Sequence, residues 1–197
     1  MKETVCMNII LASASPRRSK ILSKLGYQFR TVPSRIEEES ISGESPEDHV
    51  LRLSGIKAKT VAEDYPGDLV IGADTEVVLE GIILGKPGSE GEAIEMLKKL
   101  SGRTHTVYTG LTLIQAAGKI SKSGYEKAEV TFNDLSEESI RNYVKSGEPL
   151  DKAGSYGIQG VGSFLVKSCA GELETVIGFP SRLFEQLYKE VSSCLSL

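Results

Sequence analysis

Tryptophan is absent from the 197 residues, and the chain has only two histidines and three cysteines. Two histidines, His49 and His105, cannot build a histidine-rich metal site. The cysteines, Cys6, Cys169 and Cys194, lie far apart and match no zinc or redox spacing. We therefore expect them to be reduced and structural in a cytoplasmic protein.

Long apolar runs and an excess of positive charge are also missing. No stretch is long enough to span a membrane, and the N-terminus lacks the pattern of a signal peptide. The 23 Lys and Arg against 27 Asp and Glu give a net charge of −4, which argues against binding a nucleic-acid polymer. A phosphate ligand stays possible, because a local group of cations can lie in an acidic protein. We expect neither a membrane nor a nucleic acid as partner.

Helix and strand patterns alternate early in the chain, and a hairpin of two long strands follows. This order predicts an α/β fold with a mixed sheet and flanking helices, and the length fits one domain or two small lobes around a cleft. The predicted strands are 7–12, 29–32, 69–79, 82–84, 104–115, 120–132, 164–167 and 174–177. The predicted helices run from the caps Ser15, Ser45 and Ser89 to about 25, 63 and 100, then over 136–145 and from 180 onward.

Asp74 interrupts the most strand-like stretch, Leu69 to Leu79. A carboxylate there must be paired, bound to a metal, or placed at a strand end that faces a cleft. The alternative is a structural aspartate with satisfied hydrogen bonds. Gly72 and Ala73 beside it leave room for the close approach of a ligand, which favours a functional carboxylate.

Small residues from Ser13 lead into a helix that begins at Pro16. The free backbone amides and the positive end of the helix dipole are suited to phosphate. Arg17 and Arg18 add bidentate donors. The alternative is a capped helix with two arginines facing solvent.

Two lysines and an acidic loop complete the candidate site. Lys57 falls on the apolar stripe of the second predicted helix, so it either extends to solvent or points at an anion. Lys86 follows a short strand and is a candidate anion contact. Glu38 lies in the run 37–39, which could supply a carboxylate to a divalent metal or could be a solvated charge run. Two arginines, two lysines and Asp74 together indicate a site for a polyanion with one base.

Five ordered motifs resemble those of the Maf (septum formation) family. They are Ser13-Ala-Ser-Pro-Arg-Arg, Gly72-Ala-Asp-Thr, Gly85-Lys-Pro, Leu100-Ser-Gly-Arg-Thr-His-Thr-Val-Tyr-Thr-Gly and Asp151-Lys-Ala-Gly-Ser-Tyr-Gly-Ile-Gln-Gly. The resemblance implies one domain over 1–197, with an inosine triphosphatase-like fold of two lobes around a central cleft. It also implies a homodimer that hydrolyses nucleoside triphosphates to the monophosphate and pyrophosphate with Mg²⁺ or Mn²⁺.

The same resemblance implies residue roles. Asp74 would activate the water and would bind the metal with Glu38. The triphosphate would be held by Ser13, Arg17, Arg18, Lys57 and Lys86. Arg17, Thr75 and Gln159 would select the base.

The motifs look like the branch of the family that prefers dTTP and UTP, and the family name suggests a link to septum formation. Two alternatives stay open. One is a non-catalytic nucleotide-binding regulator of cell division, which would need neither Asp74 nor a metal. The other is a pyrophosphatase for 7-methyl-GTP or non-canonical nucleotides.

Overall fold

The computed structural model describes residues 8–39 and 41–195, so Cys6 and Met7 lie outside the described residues. The strands are β1 Ile9–Leu11, β2 Phe29–Thr31, β3 Leu69–Leu79, β4 Ile82–Leu84, β5 Thr104–Gln115, β6 Ile120–Phe132 and β7 Val166–Ala170. The α-helices are α1 Pro16–Lys24, α2 Pro46–Asp64, α3 Glu90–Leu100, α4 Glu137–Val144, α5 Leu173–Ile177 and α6 Ser181–Leu195. Short 3₁₀ helices cover Glu148–Asp151, Ala153–Ser155 and Gly160–Leu165.

The strands form one mixed sheet in the order β2-β1-β3-β5-β6-β7, with β4 also paired to β3. β1 is parallel to both β2 and β3, whereas β4 runs antiparallel to β3 and β7 antiparallel to β6. The predicted α/β class with a mixed sheet and flanking helices is confirmed. None of the helices in the described ranges is long and apolar enough to cross a membrane.

Serine side chains determine where three of the helices begin. The hydroxyls of Ser45, Ser89 and Ser136 accept hydrogen bonds from backbone amides three residues later, which satisfies donors that the helix leaves unpaired. The carboxylate of Glu92 accepts from the amide of Gly88 at 2.8 Å. The Glu92 side chain therefore satisfies the amide of the residue before the cap.

The chain divides into two compact units, and the first is drawn from Met1–Asp74, Thr109–Glu126 and Gly178–Leu197. In it, apolar residues of α2 pack on β1 and β3. The core of that layer is Ile10, Ala12, Ala58, Val61, Ala62 and Val70.

The second unit is drawn from Thr75–Tyr108 and Lys127–Ile177. Its core brings α3 and α4 onto the strands, with Leu97, Phe132 and Tyr143 buried. The prediction of a central cleft between lobes stays a prediction.

The prediction of a strand over 174–177 is wrong, because this segment belongs to α5. The β-branched run Thr175-Val176-Ile177 favours a strand by local preference. The amide of Thr175 instead donates to the carbonyl of Glu172, and the glycines on either side, Gly171 and Gly178, both have positive φ. These two bends bound the segment on both sides, and it forms a short helix between them.

The strand predicted over 164–167 lies later in the chain. Residues up to Leu165 form a 3₁₀ helix, and β7 covers Val166–Ala170. β7 is mostly exposed, so it lacks the apolar alternation that identifies a strand in a sequence. Cys169 on this strand and Cys194 on α6 are free thiols with exposed side chains, so neither is part of the core.

Candidate active site

Asp74 is a buried carboxylate in the middle of β3, with 3% of its surface exposed. Its Oδ1 accepts a hydrogen bond from the Lys57 ammonium at 2.6 Å. Its Oδ2 is buried and accepts no hydrogen bond from the residues that the structure describes. A buried carboxylate oxygen without a donor is costly, so this atom is suited to a water, a ligand or a metal ion.

Lys57 lies on the buried face of α2 with Val50, Leu53 and Val61, as the sequence predicts. Its ammonium does not extend to solvent; it lies 2.6 Å from Oδ1 of Asp74 and 2.6 Å from Oε1 of Glu38. One cation therefore holds two carboxylates together. Glu38, which the sequence offered as a metal ligand, is in an ion pair whose glutamate side chain is 40% exposed.

Ser13 and Arg18 form a hydrogen-bonded corner at the start of α1. The Ser13 hydroxyl accepts from the backbone amide of Ser15 at 3.1 Å and from Nη1 of Arg18 at 3.3 Å. Nε of Arg18 donates to the carbonyl of Gly178 at 2.9 Å. Arg18 is therefore fixed in the first unit, and the alternative of two arginines facing solvent is wrong for this residue.

The pKa of Arg18 shows which charges act on it. Burial lowers this pKa, the negative charges of Asp74 and Glu38 raise it, and the positive charge of Arg17 lowers it. Arg17, Glu38 and Asp74 are thus each within electrostatic reach of Arg18. With Lys57, which pairs with Asp74 and Glu38, five of the predicted site residues form one charged group in the first unit.

A metal ion fits the donors around Asp74. A ring nitrogen of His49 and a carboxylate oxygen each from Asp74 and Glu76 all lie within 4.8 Å of one another. Carboxylate oxygens suit Mg²⁺ and Mn²⁺, and imidazole is a common further ligand of transition metals. The sequence missed His49 and Glu76. The alternation of side chains along a strand, which places Glu76 on the same face as Asp74, could have found the second.

The remaining predicted residues belong to the second unit or its boundary. Thr75 follows Asp74 on β3 and is partly buried, whereas Lys86 and Gln159 are exposed. The loop that carries Lys86 is joined to the glycine-rich segment before Gln159, because the Gly154 amide donates to the Gly85 carbonyl at 3.1 Å.

The prediction that Gly72 leaves room for a ligand is wrong. A Cβ at this position would lie 2.1 Å from the Ser54 carbonyl oxygen and 2.7 Å from the Ala58 nitrogen, both in the backbone of α2. Glycine is therefore needed for the close packing of α2 against β3. That packing brings Lys57 to Asp74.

The fold is that of the Ham1 proteins. A Ham1 protein of Staphylococcus aureus superposes with a TM-score of 0.51 at 14% identity, covering 96% of this chain and 98% of its own. A HAM1 protein of Coxiella burnetii superposes with a TM-score of 0.50 at 13% identity, covering 95% of this chain and 99% of its own. Identities this low establish the architecture alone.

The sequence defines the family more closely. Residues 8–191 match the family described as Maf-like protein. A dTTP/UTP pyrophosphatase of Bacillus cereus is 51% identical, covering 91% of this chain and 93% of its own, and one of Clostridioides difficile is 46% identical, covering 94% and 96%. One of Syntrophus aciditrophicus is 45% identical, covering 94% and 90%. The chain belongs to the Maf family, as its motifs indicate.

Proposed function

We propose that this chain hydrolyses dTTP and UTP to the nucleoside monophosphate and pyrophosphate. The observation that carries the proposal is its 45–51% identity to dTTP/UTP pyrophosphatases over more than nine-tenths of its length. The charged group around Asp74 supplies a base and cations of the kind that this reaction requires.

Asp74 is the base in this proposal. Its Oδ1 is held by Lys57, and its Oδ2 has no donor among the described residues, so Oδ2 can accept a proton from water. The water oxygen forms a bond to the α-phosphorus while the bond from that phosphorus to the bridging oxygen breaks. Pyrophosphate leaves with the electron pair of the broken bond, and the proton stays on Asp74.

The cations hold the triphosphate. In this proposal Arg17 and Arg18 bind its oxygens next to Ser13, whose hydroxyl accepts a hydrogen bond from Arg18, and the exposed Lys86 is a further phosphate ligand. Lys57 is held by two carboxylates, so its role includes fixing the orientation of Asp74. Phosphoryl transfer is mostly positioning and charge neutralisation, which agrees with this set of residues.

Mg²⁺ or Mn²⁺ is the proposed cofactor. Asp74 would hold it with His49 and Glu76, and Glu38, proposed from the sequence, would contribute only by leaving its pair with Lys57. A bound divalent ion would neutralise charge on the phosphate oxygens.

Selectivity for pyrimidines is assigned to Arg17, Thr75 and Gln159. This assignment rests on the motifs Gly72-Ala-Asp-Thr and Tyr156-Gly-Ile-Gln-Gly. We also expect a cytoplasmic homodimer, and sedimentation of the purified protein tests the dimer. A link to septum formation would be tested by comparing cells that carry wild type or Asp74→Asn.

A panel of dTTP, UTP, CTP, 7-methyl-GTP and ITP with Mg²⁺ or Mn²⁺ tests the activity. Ion-exchange chromatography should show dTMP and UMP with equimolar pyrophosphate, and no nucleoside diphosphate. Release of orthophosphate would contradict cleavage at the α-phosphorus. Binding of dTTP without any product would support the non-catalytic regulator instead.

A further inference from the structure

Arg52 on α2 contacts two residues, Glu39 and Glu44, of the loop that precedes the helix. We call residues 35–44 of this loop the acidic loop. Its Nε and Nη2 donate to the two carboxylate oxygens of Glu44 at 2.6 and 2.7 Å. Nη2 also donates to the backbone carbonyl of Glu39 at 3.0 Å. Two planar bonds to one carboxylate and a third to the backbone fix the geometry more tightly than a single ion pair does.

The ion pair between Arg52 and Glu44 is more buried than an ordinary surface pair. The Glu44 side chain is 10% exposed and that of Arg52 is 23% exposed. The hydrogen bond from Arg52 lowers the pKa of Glu44 to about 2, so the pair is ionised at neutral pH. Exposed pairs are often worth little, but a partly buried, bidentate pair holds its partners in place.

Both attachment points are next to groups of the candidate site. Glu39 directly follows Glu38, whose carboxylate lies on the Lys57 ammonium. Glu44 is also 2.9 Å from Nδ1 of His49, whose ring approaches the Asp74 carboxylate. Nη2 of Arg52 also lies 3.3 Å from this nitrogen, so Glu44 and Arg52 together fix the orientation of the imidazole ring. Arg52 itself touches neither Lys57 nor Asp74 through any hydrogen bond or ion pair described between these residues.

We propose that Arg52 and Glu44 form a clasp that positions Glu38 on Lys57 and His49 beside Asp74. They are positioning residues of the site, not catalytic ones. The inference rests on the proposed function where it concerns turnover, but the order of the acidic loop can be measured without any substrate.

The test compares Arg52→Gln with Arg30→Gln as a matched control. Arg30 also makes a 2.6 Å ion pair in the first unit, with Asp68, and the hydrogen bonds described for Asp68 join it to Asn8, Tyr65 and Arg30. Each purified full-length variant is assayed for kcat and KM with dTTP. Its thermal midpoint and its amide hydrogen exchange without substrate or metal are also measured.

We expect Arg52→Gln to lower kcat about 10- to 100-fold, the range found when a group that orients a ligand is lost. Exchange should rise selectively in peptides covering residues 35–44. Arg30→Gln should leave kcat and this exchange unchanged. The kcat of Arg52→Lys should lie nearer to that of Arg52→Gln than to that of wild type. Lysine keeps the positive charge but cannot make two parallel hydrogen bonds to one carboxylate.

Glu44→Gln and the double variant complete the experiment. If the clasp acts as one unit, Glu44→Gln with Arg52→Gln should lower kcat no further than Arg52→Gln alone. Unchanged exchange over 35–44 in Arg52→Gln, or a rise spread evenly along the chain, would overturn the clasp. If neither the wild type nor any variant hydrolyses dTTP, the proposed function fails. A selective rise in exchange over residues 35–44 in Arg52→Gln would still support the clasp.

Discussion

The Lys57 ammonium lies 2.6 Å from Oδ1 of Asp74, and both side chains are buried. A helix and the central strand β3 thus place opposite charges in direct contact inside the first unit. Oδ2 of the same carboxylate has no hydrogen-bond donor among the described residues. One oxygen therefore fixes the orientation of Asp74, and the other can accept a hydrogen bond from a water or a ligand.

Asp74→Asn should abolish most turnover, and the protein should remain folded because Lys57 keeps its ion pair with Glu38. The amide cannot accept a proton from water, and general-base catalysis typically contributes about 10²–10⁴-fold. Single-turnover assays with dTTP would measure this loss, with circular dichroism as the check on folding. A variant that turns over at the wild-type rate would remove Asp74 as the base.

Lys57→Met should destabilise the protein strongly. Removing one partner of a buried pair leaves the other charge uncompensated, which costs about 3–5 kcal/mol in the free energy of unfolding. Urea denaturation would measure it, and adding Asp74→Asn should recover part of the loss. Lys122→Met is the control, because Lys122 and Glu190 are 3.6 Å apart with 37% and 40% of their side chains exposed. An equal loss in both variants would contradict a special role for the buried pair.

The bounds of four strands could be predicted from the sequence to the residue. β3, β4, β5 and β6 have the predicted bounds, because each is bordered by turn residues and has a strong apolar or alternating pattern. Local patterns failed at α5, where β-branched residues favour a strand but glycine bends on both sides decide the outcome. Tertiary context overrides such a preference in short segments.

The site could be predicted only in part. The helical period placed Lys57 on the buried face of α2, but both an outward and an inward ammonium agreed with that pattern. Its second partner, Glu38, comes from a loop whose path follows from no repeating pattern. His49 and Arg52 carry no distinctive signal, since polar residues three apart on a helix are ordinary solvent-facing pairs. Glu44 precedes the helix, where no repeating pattern predicts its partner.

Gly72→Ala should destabilise the first unit. The new Cβ would overlap the backbone of α2 at Ser54 and Ala58, so the helix must move away from β3. Overpacking of this kind costs about 1–3 kcal/mol or more, and displacement of Lys57 should lower turnover as well. Gly67→Ala is the control, because its Cβ would meet nothing within 4 Å. Equal thermal midpoints for both variants would show that the helix adapts without strain.

His105 should make the stability of the protein depend on pH in a defined window. Its side chain is buried with 2% of its surface exposed, and burial lowers its pKa from 6.5 to about 4. The unfolded chain therefore binds a proton between these values and the folded chain does not. Stability from this group is complete above pH 6.5 and is lost as the pH falls to about 4.

The size of this effect follows from the shift. A difference of this size between the folded and unfolded pKa values corresponds to roughly 3 kcal/mol at most in the free energy of unfolding. Denaturant unfolding between pH 4 and 7.5 would measure the fall, and His105→Gln should flatten it. Because the chain has only two histidines, NMR titration resolves both directly. Nε2 of His105 lies 2.7 Å from the Tyr156 hydroxyl inside the second unit, where burial disfavours the imidazolium. A titration of the His105 ring near pH 6.5 in the folded protein would therefore contradict the prediction.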